Sequence, residues 1–326
     1  MNEDNISIYQ EEKGGLNPIK RIRFRVRGKI DWFWFLLPAI VLIVAFFFLP
    51  IIITFFISGT NMSTATGFQN WKWIGLKSYQ RIAAHPDTLK HLWLTIKYVA
   101  FTLVFFNLGM SLVIALLTTH IPRRAGFLFR ALWLLPRITP VVVYVMMWKF
   151  IAADAPYGIL NQILIKPLGL QTQNWLPAAP FLFIVLVNGF IGASFGMILF
   201  ASAIESIPKD LMMASLVGGS SYWQRVRYVI IPHLRWPLLF VTTYQTLSLM
   251  TSFEQILVLT DGAYNTEVWA LWAYHKAFST YSGNLQWGFG TALAAILVLI
   301  GIILAVVYMR YFKFEELVQE PKIETL

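Results

Sequence analysis

The segment Ile207–Pro232 reads IPKDLMMASLVGGSSYWQRVRYVIIP, and it is polar and basic although long apolar runs flank it on both sides. It begins with Ile-Pro, contains the glycine pair Gly218–Gly219 and closes on Ile-Ile-Pro. Because glycine permits sharp turns and proline marks helix boundaries, the pattern predicts two short helices that meet at Gly219 and stop at Pro232. We call Ile207–Pro232 the turn segment. A rigid helical pair between two membrane spans predicts a surface that a cytosolic protein holds.

The composition of the 326-residue chain is that of a membrane protein, with 57% hydrophobic and only 13% charged residues. A helix needs roughly 20 apolar residues to cross about 30 Å of hydrocarbon. Six segments have about this length: Trp32–Ile57, Leu92–Thr118, Ala131–Ala153, Pro180–Ile204, Trp236–Thr260 and Trp287–Tyr308. Each is predicted to be helical, because lipid cannot satisfy free backbone groups and barrel strands would be about half as long.

The predicted fold class is therefore all-α, a polytopic membrane protein with six transmembrane helices. Its parts are a basic N-terminal segment (residues 1–31), a transmembrane domain (residues 32–310) with a connecting loop at 206–235, and a tail (residues 311–326). The first apolar run follows about 30 mostly polar residues and lacks a small-residue cleavage site, so it is predicted to remain as an uncleaved anchor.

Lys and Arg residues are distributed unequally between the two sides of the predicted membrane. Seventeen lie in the N-terminal segment, the second and fourth connections and the tail, whereas the opposite loops hold six. The positive-inside rule then places both termini and the turn segment in the cytoplasm. The net charge of +10 is thus mainly a topology signal, and no nucleic-acid partner is expected. The alternating run Arg21–Lys29 is also suited to contact anionic lipid headgroups.

The sequence lacks the residues of common catalytic and metal sites. It has no cysteine, its five histidines show no metal-ligand spacing, and it has no glycine-rich phosphate loop. No catalytic residue, bound cofactor or metal is therefore expected. The chain is predicted not to be an enzyme by itself, and any ATP hydrolysis must occur on another protein.

Several polar residues lie inside the predicted spans, where they are costly and usually face a cavity or another helix. Asn188 and Gly192 lie one turn apart in the fourth span, and Gln245, Ser248 and Ser252 share one face of the fifth. Two interpretations stay open for these residues: they line a substrate pathway, or they form hydrogen bonds and close contacts between helices.

The turn segment resembles the coupling motif of binding-protein-dependent ABC importer permeases, which reads E-A-A, three residues, G, nine residues, I-x-L-P. Met213-Ala214-Ser215 stands in place of E-A-A, Gly219 in place of the glycine, and Val229–Pro232 falls on I-x-L-P with the spacing intact. The motif's glutamate is Met213 here, and the aspartate that usually precedes the glycine is Gly218. These departures put the charged contacts of the docking surface in doubt, whereas the backbone pattern is retained.

Other stretches resemble the maltose-type oligosaccharide branch of that family and occur in its usual order. They are FLLP (Phe35–Pro38), GLKSYQRI (Gly75–Ile82), YGILNQIL (Tyr157–Leu164) and LTDGAYNTE (Leu259–Glu267). The resemblance implies the fold of a type I ABC importer permease in the bacterial inner membrane. It also implies a permease subunit that forms half of the pathway for an oligosaccharide delivered by a periplasmic binding protein.

The resemblance implies further partners and site residues. The partners are a second homologous permease, a dimer of cytosolic ATPase subunits on which ATP and Mg act, and membrane lipid. The residues implied for ATPase coupling are Pro208, Lys209, Asp210, Met213, Ala214, Ser215, Gly219 and Pro232. Those implied for the sugar pathway are Asn188, Gly192, Gln245 and Ser252, and Ser248 and Arg137 are added as polar residues within the predicted spans. Asp210 supplies negative charge near the helix start, where the helix dipole favours it.

Three alternatives stay open at this point. The turn segment is also compatible with an amphipathic pair of helices lying at the membrane interface. Arg137 is predicted either to contact an acidic sugar such as alginate, to pair with Glu254, or to reach the interface, and neutral maltodextrins fit equally well. A secondary carrier or channel that acts without an ATPase is the competing class, but it leaves the turn segment unexplained, and no internal repeat is evident.

Overall fold

The computed structural model describes residues 31–279 and 283–311, and their regular secondary structure is helical apart from an isolated bridge between Thr60 and Trp73. The all-α prediction is confirmed for this part of the chain. Most of the predicted basic N-terminal segment and of the predicted tail, residues 1–30 and 312–326, lies outside the described residues.

The first half of the described chain contains five helices. Two of them are α-helical at both ends with a π-helical stretch between, Val44–Phe48 in α1 and Thr102–Met110 in α3. The helices are α1 (31–58), α2 (Lys77–Ala84), α3 (Thr88–His120), α4 (Arg123–Ile138) and α5 (Val141–Ile151).

The second half begins with a π-helical turn at Asn161–Ile165 and a short helix at Trp175–Ala178. Seven longer elements follow, of which α8 combines Tyr222–Arg225, the π-helical stretch Val226–Ile230 and Ile231–His233. They are α6 (Pro180–Glu205), α7 (Lys209–Val217), α8 (222–233), α9 (Arg235–Thr251), α10 (Glu254–Thr260), α11 (Trp269–Phe278) and α12 (Trp287–Tyr311).

By contacts, the chain divides into two units, Met1–Ile51 and Ile52–Leu326. The described residues of the first unit form the first part of α1, a helix with Pro38 inside it. The second unit contains the end of α1 and all other helices.

Four of the described helices are long and apolar enough to cross a membrane: α1, α3, α6 and α12. A fifth crossing is possible if α4 and α5 count as one span, but these two helices meet at an angle of 100° around Thr139 and Pro140. The bend follows from the sequence, because Pro140 cannot continue a helix and its ring pushes Thr139 into an extended conformation.

The predicted fifth span, Trp236–Thr260, is divided between α9 and α10. Ser252 has an extended backbone and Phe253 a non-helical one, so the helix stops after Thr251 and restarts at Glu254. The break frees the side chain of Ser252 to turn toward neighbouring helices.

The centre of the second unit is the contact between α3 and α6. Gly192 and Gly196 on α6 face α3 so closely that an added Cβ would lie 2.1 Å from the Asn107 side-chain oxygen and 2.6 Å from the Asn107 carbonyl. Small residues at this spacing let two membrane helices approach at backbone distance. Further helices pack around this pair and form one buried cluster at the beginning of α6 and another at its end.

Candidate functional site

Helix α7 forms the first half of the turn segment. It begins after the extended backbone of Pro208, has Asp210 in its first turn and ends at Val217. The Ser215 hydroxyl donates to the Met212 carbonyl at 2.7 Å, so this polar side chain is satisfied within the helix. The predicted first short helix is therefore present, and Asp210 lies at its positive end, where its negative charge is favourable.

The turn after α7 is a Schellman motif. Gly219 has φ +74°, its N–H donates to the Leu216 carbonyl at 2.9 Å, and the Ser220 N–H donates to the Ser215 carbonyl at 3.1 Å. Glycine adopts positive φ without the steric cost that a Cβ brings, which explains the requirement for Gly219. An added Cβ would meet nothing within 4 Å, so the backbone conformation alone creates this requirement.

Helix α8 follows directly and has a complete capping box. The Ser221 hydroxyl accepts from the Gln224 N–H at 3.4 Å, and the Gln224 side chain accepts from the Ser221 N–H at 2.7 Å. Arg225 donates to the Ser220 carbonyl at 3.0 Å and ties the new helix to the turn. Both ends of the reversal are therefore held by hydrogen bonds of the segment itself.

The prediction that Pro232 stops the second helix is wrong. Pro232 lies inside α8, within the helical stretch Ile231–His233, and only Leu234 separates that stretch from α9. A proline is tolerated here because the preceding stretch Val226–Ile230 is π-helical and Pro232 occupies the start of a new α-helical turn. The turn segment thus continues almost directly into α9.

Apolar side chains anchor the turn segment to the rest of the second unit. Ile207, Val226, Ile230 and Leu234 are buried in one cluster with Ala115 of α3, and residues of α6 and α9 complete it. Just before the segment, the guanidinium of Arg130 on α4 forms an ion pair of 2.6 Å with Glu205 at the end of α6. The segment therefore has a fixed inner face.

The outer face of α7 exposes apolar side chains. Met213 is 62% exposed and Val217 is 91% exposed, and Leu216, also exposed, lies beside them at helical spacing. Pro208, Lys209, Asp210 and Ala214 are also exposed. An apolar patch with polar neighbours, on a segment already anchored by its other face, is typical of a protein-binding surface.

A second group of polar residues meets inside the bundle, and we call Tyr98, Asn188, Gly192, Gln245 and Ser252 the polar layer. The Asn188 amide donates to the Tyr98 hydroxyl and, at 2.8 Å, to the Ser252 hydroxyl. Ser252 in turn donates to the Gln255 side chain at 2.9 Å. The break after α9 makes this arrangement possible, because Ser252 lies at the break.

The Gln245 amide donates to the Gly192 carbonyl at 2.9 Å and links α9 to α6. Asn188, Gln245 and Tyr98 are all buried. Ser248 is not part of the layer, since its residue is exposed. The structure therefore brings together four of the five residues predicted on the fourth and fifth spans. In this conformation they form hydrogen bonds between helices, Gly192 through its backbone carbonyl.

Tyr98 was missed by sequence reasoning, although it is completely buried and accepts a bond from Asn188. The available signal was a tyrosine within an apolar run, whose hydroxyl needs a partner when buried. Only the spatial approach of α3 to α6 reveals which residue supplies that partner.

Arg137 lies two residues before the bend between α4 and α5. Its guanidinium carbon is 5.4 Å from the ring centroid of Phe195 on α6, and its residue is exposed. Between Arg137 and Glu254, both within the described part of the chain, no ion pair is found. The guanidinium therefore stacks on an aromatic face, and within the described residues its N–H groups donate no hydrogen bond.

On the predicted external side, a cluster of titratable residues joins α11 to the loop before it. His275 forms bonds of 2.6 Å to the Glu267 carboxylate and 3.0 Å to the Asp261 carboxylate. His91 of α3 lies 3.6 Å from the other Glu267 oxygen. The bond to Glu267 is the main cause that raises the pKa of His275, burial opposes the rise, and the bond to Asp261 adds to it.

An apolar cavity of about 500 Å³ lies between α9, α11 and α12. Its walls contain many small residues, including Ala270, Ala273, Gly290 and Ala294. This lining fits lipid chains or another apolar helix and offers few groups for sugar recognition.

Residues 108–314 match a family described as binding-protein-dependent transport system inner membrane component. Among curated relatives, the trehalose/maltose transport system permease protein MalF of Thermococcus litoralis is 26% identical and aligns over 86% of this chain and 92% of its own. The probable starch degradation products transport system permease protein AmyD of Thermoanaerobacterium thermosulfurigenes is 29% identical over 88% of this chain and 95% of its own.

The fold is similar to a chain in the crystal structure of a bacterial alginate ABC transporter in complex with an alginate pentasaccharide-bound periplasmic protein. The TM-score is 0.74 at 17% identity, and the match covers 86% of this chain and 94% of the other. At this identity the likeness establishes a shared fold.

Proposed function

The chain belongs to the family of binding-protein-dependent transport system inner membrane components, and from this membership we propose that it is half of the translocation pathway of an ATP-driven oligosaccharide importer. The family prediction made from the turn segment is confirmed by a match that covers more than half of the chain. The proposal adds what energises the pathway and what passes through it.

The observation that carries the proposal is the exposed apolar face of α7. On this face Met213, Leu216 and Val217 are exposed, whereas Met212 is partly buried and packs against the cluster that anchors the turn segment. A permease of this family obtains its energy from another protein, so a cytosolic ATPase subunit is the partner proposed for this face. The helix would lie in a groove of that subunit, with the apolar side chains as anchors and Lys209 and Asp210 at the rim.

The hydrogen bonds of the turn explain how movement would reach the membrane. The capped reversal at Gly219 holds α7 and α8 in one orientation, and α8 continues almost directly into α9. α7 itself follows α6 after a short connection. When two ATPase subunits close on ATP, displacement of the turn segment would therefore move α6 and α9, the two helices that carry most of the polar layer.

The remaining assembly follows from the same proposal. The turn segment and both termini face the cytoplasm, and six spans cross the bacterial inner membrane, with the bent α4–α5 pair and the broken α9–α10 pair counted as one span each. A second, homologous permease completes the pathway. A periplasmic binding protein delivers the substrate to the external loops.

For the substrate we propose an oligosaccharide. The relatives named above carry trehalose, maltose or starch products in their descriptions, and amide and hydroxyl groups such as those of Asn188 and Ser252 can bind sugar hydroxyls. Whether the substrate is a neutral or an acidic sugar turns on Arg137, because its guanidinium could bind a sugar carboxylate. Uptake of neutral and uronate oligosaccharides by Arg137→Gln separates the cases: a loss confined to the uronate indicates an acidic substrate, and an equal loss on both removes the charge argument.

The decisive test is reconstitution of the chain with a second permease, ATPase subunits and a binding protein in proteoliposomes. We expect uptake that requires ATP, and Leu216→Asp should lower both ATPase capture and uptake at least tenfold by placing a charge in the groove. Leu168→Asp, at another exposed leucine in the loop between the third and fourth predicted spans, is the matched control. Uptake by the chain without any ATPase would instead identify a secondary carrier or channel.

A further inference from the structure

A buried amide in α3 has no hydrogen-bond partner. Asn107 is completely buried, and neither its side-chain nitrogen nor its side-chain oxygen is paired with any part of the described chain. Polar groups in protein interiors are almost always hydrogen-bonded, so an amide with both ends unpaired requires a physical explanation.

Asn107 presses directly on the helix that carries Asn188. A Cβ added to Gly192 would lie only 2.1 Å from the side-chain oxygen of Asn107. A Cβ added to Gly196 would lie 2.6 Å from its backbone carbonyl oxygen. The nearby Gly192 carbonyl already accepts from Gln245 of α9. The amide is thus enclosed between α3 and α6, beside the polar layer but excluded from its hydrogen bonds.

The backbone around Asn107 is π-helical. The stretch Thr102–Met110 interrupts an otherwise α-helical α3, and the buried hydroxyl of Thr102, five residues before Asn107, is also unpaired. In a π-helix the backbone hydrogen bonds join residues five positions apart, so Thr102 and Asn107 are one such interval apart. Insertions of this kind in α-helices are frequent at functional sites. Rewinding such a stretch to an α-helix would rotate its side chains and bring Asn107 to new neighbours.

Ser111 provides the contrast within the same helix. Its hydroxyl donates to the Ala193 carbonyl of α6 at 2.7 Å. Ser111 therefore stabilises the α3–α6 contact as it stands here, whereas Asn107 raises the free energy of this conformation.

We propose that Asn107 is a positioning residue of the translocation pathway, with an amide that is unpaired in this conformation and hydrogen-bonded to α6 or α9 in the alternate conformation of the transport cycle. The inference rests on the proposed function. Its consequence is energetic: the unpaired amide disfavours this conformation and keeps the two states close enough in free energy to interconvert.

Two substitutions should shift the conformational equilibrium in opposite directions. Asn107→Leu replaces the amide by an apolar group of similar size, which relieves the penalty here and removes the bond expected in the alternate state. We expect a shift of about tenfold or more toward the present conformation and a fall in uptake. Ser111→Ala removes a bond made in the present conformation and should shift the equilibrium the other way.

Both shifts can be measured on the assembled transporter. Its thermal unfolding temperature is determined once without nucleotide and once after the complex is trapped with ADP and vanadate. The difference between the two temperatures should change with opposite sign in Asn107→Leu and Ser111→Ala. If Asn107→Leu fails to assemble, Asn107→Ala removes the amide without added bulk and replaces it in the test.

The inference would be overturned if the temperature difference changed with the same sign in both variants, or if Asn107→Leu changed both unfolding temperatures equally. Wild-type uptake by Asn107→Leu would also overturn it. The wild-type complex serves as the check on its premise. If wild-type uptake does not depend on ATP, the proposed function fails; if it does and the two variants behave alike, only the role of Asn107 fails.

Discussion

The turn segment and the polar layer are held together in opposite ways. In the turn, bonds join near neighbours, from Gly219 to Leu216 and from Ser220 to Ser215. In the polar layer they join residues far apart in the chain, since Asn188 bonds Ser252 64 positions away and Tyr98 90 positions away. A locally bonded segment can move as a unit, whereas a layer of bonds between helices must change whenever those helices move.

This difference gives the two regions different roles in the proposed transporter. The turn segment keeps its shape while a partner displaces it, because its caps and its reversal depend on no other helix. The polar layer must respond to the displacement, because its bonds join α6 to α3, to α9 and to the break after α9. Substitutions in the first region should therefore affect coupling, and substitutions in the second should affect substrate handling and stability.

The strongest test of the division is Gly219→Val. A β-branched residue at φ +74° is strained by roughly 1–3 kcal/mol, so the turn should open and α7 should lose its orientation. We expect uptake to fall at least tenfold while ATP hydrolysis by the assembled complex continues without transport. Uptake and hydrolysis measured in the same proteoliposomes give the ratio.

Two variants control for strain itself. Gly169 also has a positive φ, +68°, and an added Cβ there would meet nothing within 4 Å. It lies in the loop between the third and fourth predicted spans, so Gly169→Val should leave coupling intact. Gly219→Asn should retain most uptake, because asparagine tolerates positive φ. Normal coupling in Gly219→Val would show that the turn need not be rigid.

A smaller effect is expected from Asn188→Leu, which breaks the bonds to Tyr98 and Ser252. Hydrogen bonds between membrane helices contribute about 0.6 kcal/mol on average and up to about 2 kcal/mol. We expect a modestly lower unfolding temperature, a coupling energy of about 0.5–2 kcal/mol in a double-mutant cycle with Ser252→Ala, and a raised KM for sugar with the ratio of hydrolysis to uptake preserved.

Asn161→Leu distinguishes a pathway role from a structural one. Asn161 is equally buried and hydrogen-bonded, to Gln173 and Trp175, but it lies in a predicted external loop. A raised KM in Asn188→Leu alone supports sugar contact. Loss of stability in both variants with an unchanged KM would mean that Asn188 only joins helices.

The same contrast explains what the sequence could predict. Glycine and proline act on their own backbone, so the short helices and the turn at Gly219 were predictable from local residues. Pro232 was misjudged because the π-helical stretch before it absorbs the proline. The breaks at Thr139–Pro140 and Ser252–Phe253 differ similarly: a proline announces the first, whereas nothing local announces the second.

Within the polar layer, helical spacing placed Asn188 and Gly192 on one face and predicted Gln245 and Ser252 on another. Spacing could not show that the two faces meet, or that Tyr98 joins them, because both facts depend on the packing of α3 against α6. It also grouped Ser248 with Ser252, since a continuous helix was assumed through a position where the chain is broken.

The smallest expected effect concerns the His275 cluster, which combines local bonds to Glu267 and Asp261 with the longer contact of His91 to Glu267. Because its carboxylate partners raise the pKa of His275, the protonated form stabilises the fold. That stabilisation is complete below the unfolded pKa near 6.5 and is lost as pH rises through the raised value. The cluster is partly exposed, so the contribution should stay below about 1 kcal/mol. His275→Gln should therefore lower the unfolding temperature at pH 6 and have little effect at high pH. An effect of His275→Gln that is equal at both pH values would mean that this network, like the polar layer, acts through neutral hydrogen bonds rather than through charge.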